Sequence, residues 1–182
     1  MTKRIVDVTL SAVGLVVLSP VLAVIALAVW LGGSPVIYAQ WRMGRDLRPF
    51  RIYKFRTMVP GADRIGGGLT VDGDPRVTRL GRILRETKLD ELPQLYNVLR
   101  GDMSLVGPRP ELPQFVSRFP EEYREILKIR PGMTDPASIA YRDEGALLKD
   151  NEDPEAHYLR VILPDKLRLA RHYVARHSVL LD

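Results

Sequence analysis

Residues 8–31 form an uninterrupted apolar run, VTLSAVGLVVLSPVLAVIALAVWL, without a charged side chain. As a helix, a run of this length reaches across the hydrocarbon core of a bilayer, which is roughly 30 Å thick. The core helix of a soluble protein is rarely apolar on every face for so long. A cleaved signal peptide fits poorly, because the run is too long and no small-residue cleavage site follows it. The segment therefore predicts embedding in a membrane.

The middle of this run contains the dipeptide Ser19-Pro20. A proline there removes one backbone donor and clashes with the carbonyl of Val16, so the helix must bend. The Ser19 hydroxyl can hydrogen-bond a carbonyl that the bend sets free. We therefore predict a helix, a break at Ser19-Pro20 and a second helix.

Basic residues lie on both sides of the apolar run. Lys3 and Arg4 precede it, and the residues that follow it include Arg42, Arg45, Arg48, Arg51, Lys54 and Arg56. Basic flanks mark the cytoplasmic side of a membrane. A hairpin that enters and leaves by one leaflet places both flanks there, whereas a straight span, the alternative, leaves one outside. We predict a re-entrant hairpin over residues 1–34 and a cytosolic domain over residues 35–182.

The overall composition narrows the classes of function. With 182 residues and a net charge of +5, the chain has room for one core and favours anionic partners. It contains no cysteine, which excludes disulfides and thiolate metal sites. The three histidines lack the spacing of a His-based metal motif.

The remaining pattern predicts a mainly helical chain with a little β structure. Residues 35–59 mix apolar and basic side chains, which predicts an extended or hairpin segment with a cationic face. The alternative is a basic strip lying on anionic headgroups. The glycine-rich segment 60–74 predicts a mobile loop. We expect helices over 75–86, 90–100, 112–130, 136–148 and 153–178, where Pro164 starts a fresh helix in the last stretch. Together they should form a compact catalytic domain with interfacial amphipathic helices, of which 112–130 is the amphipathic one that packs on the domain or the membrane.

The heptapeptide LDELPQL, residues 89–95, places Asp90 and Glu91 side by side. Pro93 is harmless only in the first turn of a helix, which puts Asp90 at or next to the N-cap. One interpretation is that the two carboxylates only cap the helix. The other is functional, because a helix N-terminus binds phosphate and lowers the pKa of a carboxylate, which keeps it ionised and nucleophilic.

Cationic side chains gather near this carboxylate pair in the sequence. Arginines recur at every third position of the preceding helix, at Arg76, Arg79, Arg82 and Arg85. Gly107-Pro108-Arg109-Pro110 is incompatible with a helix or a central strand, so it predicts a rigid loop that presents one guanidinium. A solvated basic face is the alternative for the arginine row.

These motifs together resemble a known family. The stretch RETKLDELPQLYNVLRGDMSLVGPRPE, residues 85–111, closely resembles the signature of the bacterial monotopic phosphoglycosyl transferases, or polyprenyl-phosphate sugar-phosphate transferases. The opening KRIVDVTLSAVGLVVLSP is similar to their membrane segment, and YKFRTM (53–58) and RPGMTD (130–135) are similar to further motifs.

The resemblance implies a reaction and a set of residues for it. Such enzymes move a sugar phosphate from a nucleotide diphospho-sugar, here expected to be a UDP-sugar, to polyprenyl (undecaprenyl) phosphate. Asp90 is then the nucleophile that forms an aspartyl phospho-sugar and releases UMP, with Glu91 as its partner. Mg²⁺ is the expected cofactor, with Asp90 and Glu91 as its ligands. The candidate substrate-binding residues are Lys54, Arg85, Arg109 and Arg142.

The resemblance also implies a location, and it has limits. It places the protein in the bacterial cytoplasmic membrane, with the catalytic domain on the cytoplasmic face, at the first membrane step of glycoconjugate assembly. Many members read G-x-T-G-x-A-Q where this chain has GMTDPAS, so that Asp135-Pro136 replaces glycine and its follower. Many also carry an aspartate shortly before the late tyrosine, here Tyr173, and this chain does not. We expect these differences to affect substrate selectivity.

Two other functions remain open from the sequence. An ordinary membrane-bound glycosyltransferase would move the sugar without its phosphate and release a nucleoside diphosphate. A non-catalytic, membrane-anchored scaffold would use its basic faces to bind anionic lipid, and Asp90→Asn would be harmless to it. The chain contains no nucleic-acid motif and no row of interleaved aromatic residues, so nucleic acid is not an expected partner.

Overall fold

The computed structural model describes residues 2–62, 65, 68–149, 151–178 and 182. Gly66 and Gly67 of the predicted loop lie outside the described residues. The helices are α1 (Thr2–Val17), α2 (Ser19–Leu31), α3 (Arg79–Glu86), α4 (Gln94–Arg100), α5 (Pro113–Val116), α6 (Pro120–Ile126), α7 (Pro136–Ala140), α8 (Glu144–Lys149), α9 (Pro154–His157) and α10 (Leu163–Arg176). The strands are β1 (Ile37–Met43), β2 (Pro49–Phe55), β3 (Ser104–Val106) and β4 (Gly132–Thr134). This confirms a mainly helical fold with small sheets.

The apolar segment forms a bent helix pair. Helix α1 ends at Val17, α2 begins at Ser19, and their axes meet at 63°. Among the described residues, no single helix is long and apolar enough to cross a membrane. The two helices together have the length and composition of a broken span or a re-entrant loop. The predicted break at Ser19-Pro20 is therefore confirmed.

The start of α1 is fixed to the rest of the chain by polar side chains. The Arg4 guanidinium donates hydrogen bonds of 2.5 and 2.8 Å to carbonyl oxygens in the last turn of α4. Asp7 accepts hydrogen bonds from the Ser104 hydroxyl (2.9 Å) and the Leu105 amide (3.1 Å). A cation satisfies the free carbonyls of a helix C-terminus, and an anion satisfies donors of a buried strand. The hairpin is thus tied to α4 and β3.

Strands β1 and β2 form the predicted hairpin. They pair antiparallel, with Ile37 opposite Phe55 and Met43 opposite Pro49. Phe50 and Ile52 lie on one face of β2, where they are buried against Val98 and Met103. Phe55 lies on the opposite face and is buried against Ile25, Val29 and Leu84. Lys54, near the end of β2, shares the face of Phe50 and Ile52. The second sheet, the parallel pair of β3 and β4, was not predicted.

Arg56, just after β2, closes the end of the bent helix pair. Its guanidinium donates to the carbonyl oxygens of Val29 (3.1 Å), Gly33 (2.7 Å) and Ser34 (3.0 Å). The residue is only 9% exposed. The Gly33 and Ser34 carbonyls lie beyond the C-terminus of α2, where no N–H of the helix reaches them, and the Val29 carbonyl also accepts the Gly32 N–H at 3.1 Å. One side chain therefore joins α2 to the strand that carries Lys54.

Prolines divide the predicted helices of the second half. The helix predicted over 112–130 is two helices, because Pro113 and Pro120 each lie in the first turn of a new one. The helix predicted over 136–148 also divides, into α7 and α8, around a turn at 141–143. Pro164 does start a fresh helix, α10, which follows a π-helical turn at 158–162.

The largest apolar core lies among α5, α6, α8, the π-helical turn at 158–162 and α10. Its most deeply buried members include Phe115, Ile126, Leu127, Leu148, Tyr158, Ile162 and Leu163. One carboxylate lies within this region, since Glu111 is buried and accepts hydrogen bonds from Arg42 (2.9 Å) and the Tyr158 hydroxyl (2.7 Å). A buried carboxylate requires such partners. The loop that carries Arg109 is thus anchored to the core two residues further on.

Candidate active site

The chain reaches the carboxylate pair through a tight turn. Lys88 has a left-handed backbone (φ 59°), residues 89–91 form a 3-10 turn, and α4 begins at Gln94. The predicted start of this helix at residue 90 is therefore wrong. Pro93 has no N–H to give to the Leu89 carbonyl, which instead accepts the Leu92 N–H at 3.3 Å. The predicted end at Gly101 is confirmed, since its φ is 93°.

Asp90 lies deep in this turn. It is 6% exposed, and its Oδ1 is fully occluded without a hydrogen-bond partner among the described residues. Burial raises the pKa of Asp90 above its ordinary value, against the opposing charges of Lys54 and Arg85. The predicted lowering of this pKa by a helix N-terminus is wrong, because Asp90 does not lie at one. A buried carboxylate oxygen without a hydrogen-bond partner is rare in a folded protein, and such atoms often have a catalytic or ion-binding role.

Glu91 is held between two cations. Its Oε1 accepts a hydrogen bond of 2.6 Å from the Lys54 ammonium and one of 2.7 Å from the Arg109 guanidinium. The Glu91 side chain is 13% exposed. Burial alone would raise the pKa of Glu91, but the charges and hydrogen bonds of the two cations outweigh it and hold the pKa well below its usual range. Glu91 is therefore ionised.

The loop that carries Arg109 is fixed by the second sheet. The Gly107 amide donates to the Thr134 carbonyl at 3.0 Å, which extends the pairing of β3 with β4. The two chains pass so closely that a Cβ on Gly132 would lie 2.1 Å from the Gly107 nitrogen. Residues 107–110 contain neither helix nor strand, as predicted. The guanidinium of Arg109 therefore reaches Glu91 from a rigid backbone.

Arg85 approaches the pair from α3. Its Nε donates to the Thr57 hydroxyl at 2.8 Å, and its charge acts on Asp90. Helix α3 lies directly on residue 57, since a Cβ on Gly81 would be 1.9 Å from the Thr57 carbonyl oxygen. The predicted row of arginines is divided, because Arg79 and Arg82 are exposed whereas Arg76 pairs with Asp74 at 2.6 Å.

Arg142 is not brought to this site by any contact. It is exposed in the turn between α7 and α8, and within the described part of the chain no hydrogen bond or ion pair links it to Asp90 or Glu91. Of the four predicted substrate-binding residues, the structure therefore places Lys54 and Arg109 in direct contact with the dyad. Arg85 is oriented toward it by Thr57.

The carboxylate pair fits a metal ion only in part. No group of three or more histidine, aspartate or glutamate side chains in the described ranges is arranged to hold a metal. Asp90 offers the unpaired Oδ1, whereas Glu91 has its Oε1 engaged by two cations. Mg²⁺ commonly takes one or two carboxylates and completes its shell with substrate phosphates and water. The predicted ligands suit that arrangement rather than a site made of protein alone.

The chain thus combines a bent helix pair that has the apolar composition of a membrane segment with a partly buried carboxylate dyad that two cations contact. The family model described as bacterial sugar transferase matches residues 1–182. The chain belongs to this family, which confirms the family predicted from its motifs.

Three relatives show how the family varies. The chain is 41% identical to the UDP-N-acetylgalactosamine-undecaprenyl-phosphate N-acetylgalactosaminephosphotransferase of Aeromonas hydrophila, over 76% of the chain and 34% of that protein. It is 43% identical to the UDP-glucose:undecaprenyl-phosphate glucose-1-phosphate transferase of Escherichia coli, over 82% and 33%. The undecaprenyl-phosphate galactose phosphotransferase of Salmonella typhimurium is 37% identical, over 78% and 33%. The chain thus spans about one third of the length of these relatives.

A shorter relative from Bacillus subtilis is covered more fully. It is 45% identical over 121 residues, which are 66% of this chain and 68% of that protein. The matched region is therefore a large part of a short relative and a smaller part of several long ones.

Sequence reasoning missed two groups that shape the site. Thr57, the partner of Arg85, lies inside the YKFRTM motif, but its role depends on the close approach of α3. Asp135 was noticed only as a departure from the family pattern, whereas it is buried and accepts a hydrogen bond from the Arg109 amide at 3.2 Å. An Asp-Pro dipeptide is a signal for a helix N-cap. That signal predicts the hydrogen bond that Asp135 accepts from the Ser138 amide, but not the one from the Arg109 amide.

Proposed function

We propose that the chain is a phosphoglycosyl transferase that moves a sugar phosphate from a UDP-sugar to undecaprenyl phosphate and releases UMP. The observation that carries this proposal is that the two carboxylates of the dyad differ in their contacts. Glu91 is ionised and bound to Lys54 and Arg109, whereas its neighbour Asp90 keeps an unpaired carboxylate oxygen. The names of the three relatives, which specify undecaprenyl phosphate with three different sugars, support the same reaction class.

The reaction proceeds in two displacements at the same phosphorus. The Asp90 carboxylate attacks the β-phosphorus of the UDP-sugar, the bond to the bridging oxygen breaks, and UMP leaves. The product is a sugar phosphate bound to Asp90 as an acyl phosphate. An oxygen of undecaprenyl phosphate then attacks this phosphorus, the bond to Asp90 breaks, and undecaprenyl diphospho-sugar leaves with the free carboxylate restored.

The cations lower the repulsion between a carboxylate and a diphosphate. Lys54 and Arg109 are already aligned by Glu91, and Arg85 is aligned by Thr57. Charges held in place before the reaction stabilise negative charge on the transferred phosphoryl group without further reorganisation. They also favour the ionised form of Asp90, against the effect of its burial. Mg²⁺ bound by Asp90, Glu91 and the substrate phosphates would neutralise further charge.

The hairpin gives this chemistry its location. We assign residues 1–34 to a re-entrant membrane hairpin and residues 35–182 to a catalytic domain on the cytoplasmic face of the bacterial inner membrane. The nucleotide-sugar is soluble, and the acceptor phosphate lies at the level of the headgroups. Because Arg56 joins the end of α2 to β2, the strand that carries Lys54 is held next to the membrane segment. Both substrates can therefore meet at the dyad, at the first membrane step of glycoconjugate assembly.

The decisive experiment identifies the nucleotide that is released. The protein in nanodiscs is incubated with Mg²⁺, undecaprenyl phosphate and a panel of UDP-sugars that includes glucose, galactose and N-acetylgalactosamine. We expect UMP, and we expect Asp90→Asn to reduce its release by at least about a thousandfold, as removal of a nucleophile does. The control is Asp46→Asn, an exposed carboxylate with a left-handed backbone that asparagine tolerates.

Other outcomes would reject the proposal. Release of UDP would indicate ordinary glycosyl transfer. Equal release of UMP by wild type and Asp90→Asn would exclude an aspartyl intermediate. Binding of anionic vesicles without release of either nucleotide would indicate the membrane-anchored scaffold.

A further inference from the structure

Two helices of this chain begin with the same dipeptide. Asp135-Pro136 opens α7, and Asp153-Pro154 opens α9. In each case one carboxylate oxygen accepts the N–H three residues later, at 2.7 Å from Ser138 and 2.9 Å from Ala156. Proline is placed in the first turn of both, where its missing N–H does no harm. Both aspartates are therefore ordinary N-caps.

The two caps differ in what else the carboxylate does. Asp135 is 2% exposed, and its Oδ2 accepts a second hydrogen bond from the backbone N–H of Arg109, at 3.2 Å. Asp153 is exposed, and the one hydrogen bond of its side chain within the described ranges is the cap. Burying a carboxylate is costly unless it gains such partners. The burial of Asp135 therefore needs an explanation that capping alone does not give.

The N–H that Asp135 holds has a special place in the loop. Pro108 and Pro110 flank Arg109 and have no N–H, so the Arg109 amide is the one backbone donor that the Pro-Arg-Pro triplet offers. The other end of Arg109, its guanidinium, donates to Glu91 at 2.7 Å. Arg109 is thus fixed at the backbone by one carboxylate and at the side chain by another.

The segment that carries Asp135 is itself anchored. The Tyr141 hydroxyl donates to Asp165 at 2.9 Å, and the Lys166 ammonium donates to Glu144 at 2.6 Å. Both partners lie in the first turn of α10, so the segment from Asp135 to Glu144 is attached at several points. An anchored acceptor can hold the Arg109 backbone in one position.

We infer that Asp135 is a positioning residue, which sets the place of the Arg109 guanidinium at the dyad through the backbone of the Pro-Arg-Pro loop. The inference that Arg109 binds the donor diphosphate rests on the proposed function. The hydrogen bond from the Arg109 amide to Asp135 does not depend on that function.

The test replaces each aspartate by serine. A serine hydroxyl caps a helix about as well as aspartate but is too small to serve both N–H groups, so Asp135→Ser keeps the cap and removes the hold on Arg109. Asp153→Ser is the matched control. Both proteins are compared with wild type in nanodiscs, by hydrogen exchange of the peptide that contains residues 107–110 and by kcat and KM for the donor UDP-sugar.

We expect Asp135→Ser to speed exchange in the 107–110 peptide at least about tenfold and to reduce kcat about ten- to hundredfold, because small misplacements of a charged group are costly in the transition state. Asp153→Ser should leave both quantities within about twofold. Equal hydrogen exchange in the two variants would overturn the inference. It would also be overturned if Asp135→Ser lost thermal stability but kept the wild-type exchange rate and kcat. If wild type releases no UMP, the proposed function fails, and the exchange measurement still decides the role of Asp135.

Discussion

The Ser19 hydroxyl donates a hydrogen bond of 2.7 Å to the Val16 carbonyl, the carbonyl that Pro20 leaves without a donor. In an unbroken helix the N–H of residue 20 would occupy it. In a hydrocarbon environment no water can replace a missing hydrogen-bond donor. A side chain that supplies the donor therefore stabilises the bend. The break in the hairpin is thus built from two adjacent residues.

Removal of this proline should change the topology of the segment. In Pro20→Leu the Val16 carbonyl regains a backbone donor, and α1 and α2 form one straight apolar helix long enough to cross the bilayer. We expect the N-terminus to become accessible from outside the cell. The measurement uses Thr2→Cys, the sole cysteine in the chain, labelled by an impermeant maleimide on spheroplasts. Labelling of Pro20→Leu should rise several-fold above that of the parent.

Ser19→Ala provides the control for this change. It removes the hydroxyl but keeps Pro20, so the bend persists and labelling should remain low. If the parent itself is labelled strongly, its N-terminus lies outside and the re-entrant assignment is refuted. If both proteins are labelled weakly, Pro20 is not what keeps the N-terminus inside.

The sequence predicted the features that depend on neighbouring residues. The break at Ser19-Pro20, the β1–β2 hairpin and the stop at Gly101 each follow from a local backbone rule. The contacts of Glu91 with Lys54 and Arg109 join residues 37 and 18 positions apart and were not predicted, although the family resemblance named both cations as candidates for substrate binding. The pKa of Asp90 was predicted in the wrong direction because burial, a property of the whole fold, outweighs the local turn. The undetected β3–β4 pair is likewise a long-range contact of two three-residue strands.

The ion pair between Lys54 and Glu91 should show energetic coupling. Glu91→Gln leaves Lys54 and Arg109 facing each other without the shared anion, and Lys54→Met leaves the anion with one cation. Each single variant should lower the free energy of unfolding, and the double variant should lose less than the sum. Groups in one ion-pair network couple by about 0.5–3 kcal/mol, and the partial exposure of this pair favours about 1 kcal/mol. Urea unfolding in detergent measures all four proteins.

The exposed pair of Glu121 and Arg124 is the comparison for this cycle. Its carboxylate side chain is 73% exposed, although the N–O distance is also 2.6 Å. Solvent screens such a pair, so its coupling should be at most about 0.5 kcal/mol. Equal coupling in the two cycles would mean that the Lys54–Glu91 contact has no special energetic role.

Glu111 should make stability depend on acidic pH. Burial alone would raise its pKa, but Arg42, Lys166 and the hydrogen bonds of this carboxylate lower it below the ordinary value. A group with a lowered folded-state pKa stabilises fully above its unfolded-state pKa, about 4.3 for glutamate, and this stability is lost as pH falls through the folded-state value. Glu111→Gln should therefore be less stable than wild type at pH 7, by about 1–3 kcal/mol.

The deficit of Glu111→Gln should shrink as pH falls below about 4, because the unfolded wild-type chain then binds a proton at residue 111 that the folded chain, with its lowered pKa, does not yet bind. Thermal unfolding at pH 7 and at pH 3.5 measures it. Glu121→Gln, in the exposed pair, should differ little from wild type at either pH. A deficit of Glu111→Gln that stays constant between the two conditions would show that its charge has no part in stability.

Arg56 should determine how firmly the membrane hairpin is joined to the site. Arg56→Met keeps the length of the side chain but leaves the carbonyls of Val29, Gly33 and Ser34 without their shared donor. Gly33 and Ser34 are exposed, so water can replace the donor there, and the Val29 carbonyl keeps the Gly32 N–H at 3.1 Å. Each lost hydrogen bond should therefore cost about 0.5–1.5 kcal/mol. We therefore expect a loss of about 2–4 kcal/mol in unfolding free energy, with faster hydrogen exchange near residues 29–34.

Arg51→Met is the matched control for Arg56→Met. Arg51 lies five residues earlier in the same hairpin and stacks on the ring of Trp41, with 5.0 Å between the guanidinium carbon and the ring centre. An exposed contact of this kind contributes about 0.5–1 kcal/mol, so its loss should be small. If Arg56→Met also reduces UMP release more than Arg51→Met does, the carbonyl cap at the end of α2 helps to hold Lys54 at Glu91. If the two variants lose equal stability, the hairpin is held mainly by the contacts of α1 with α4 and β3.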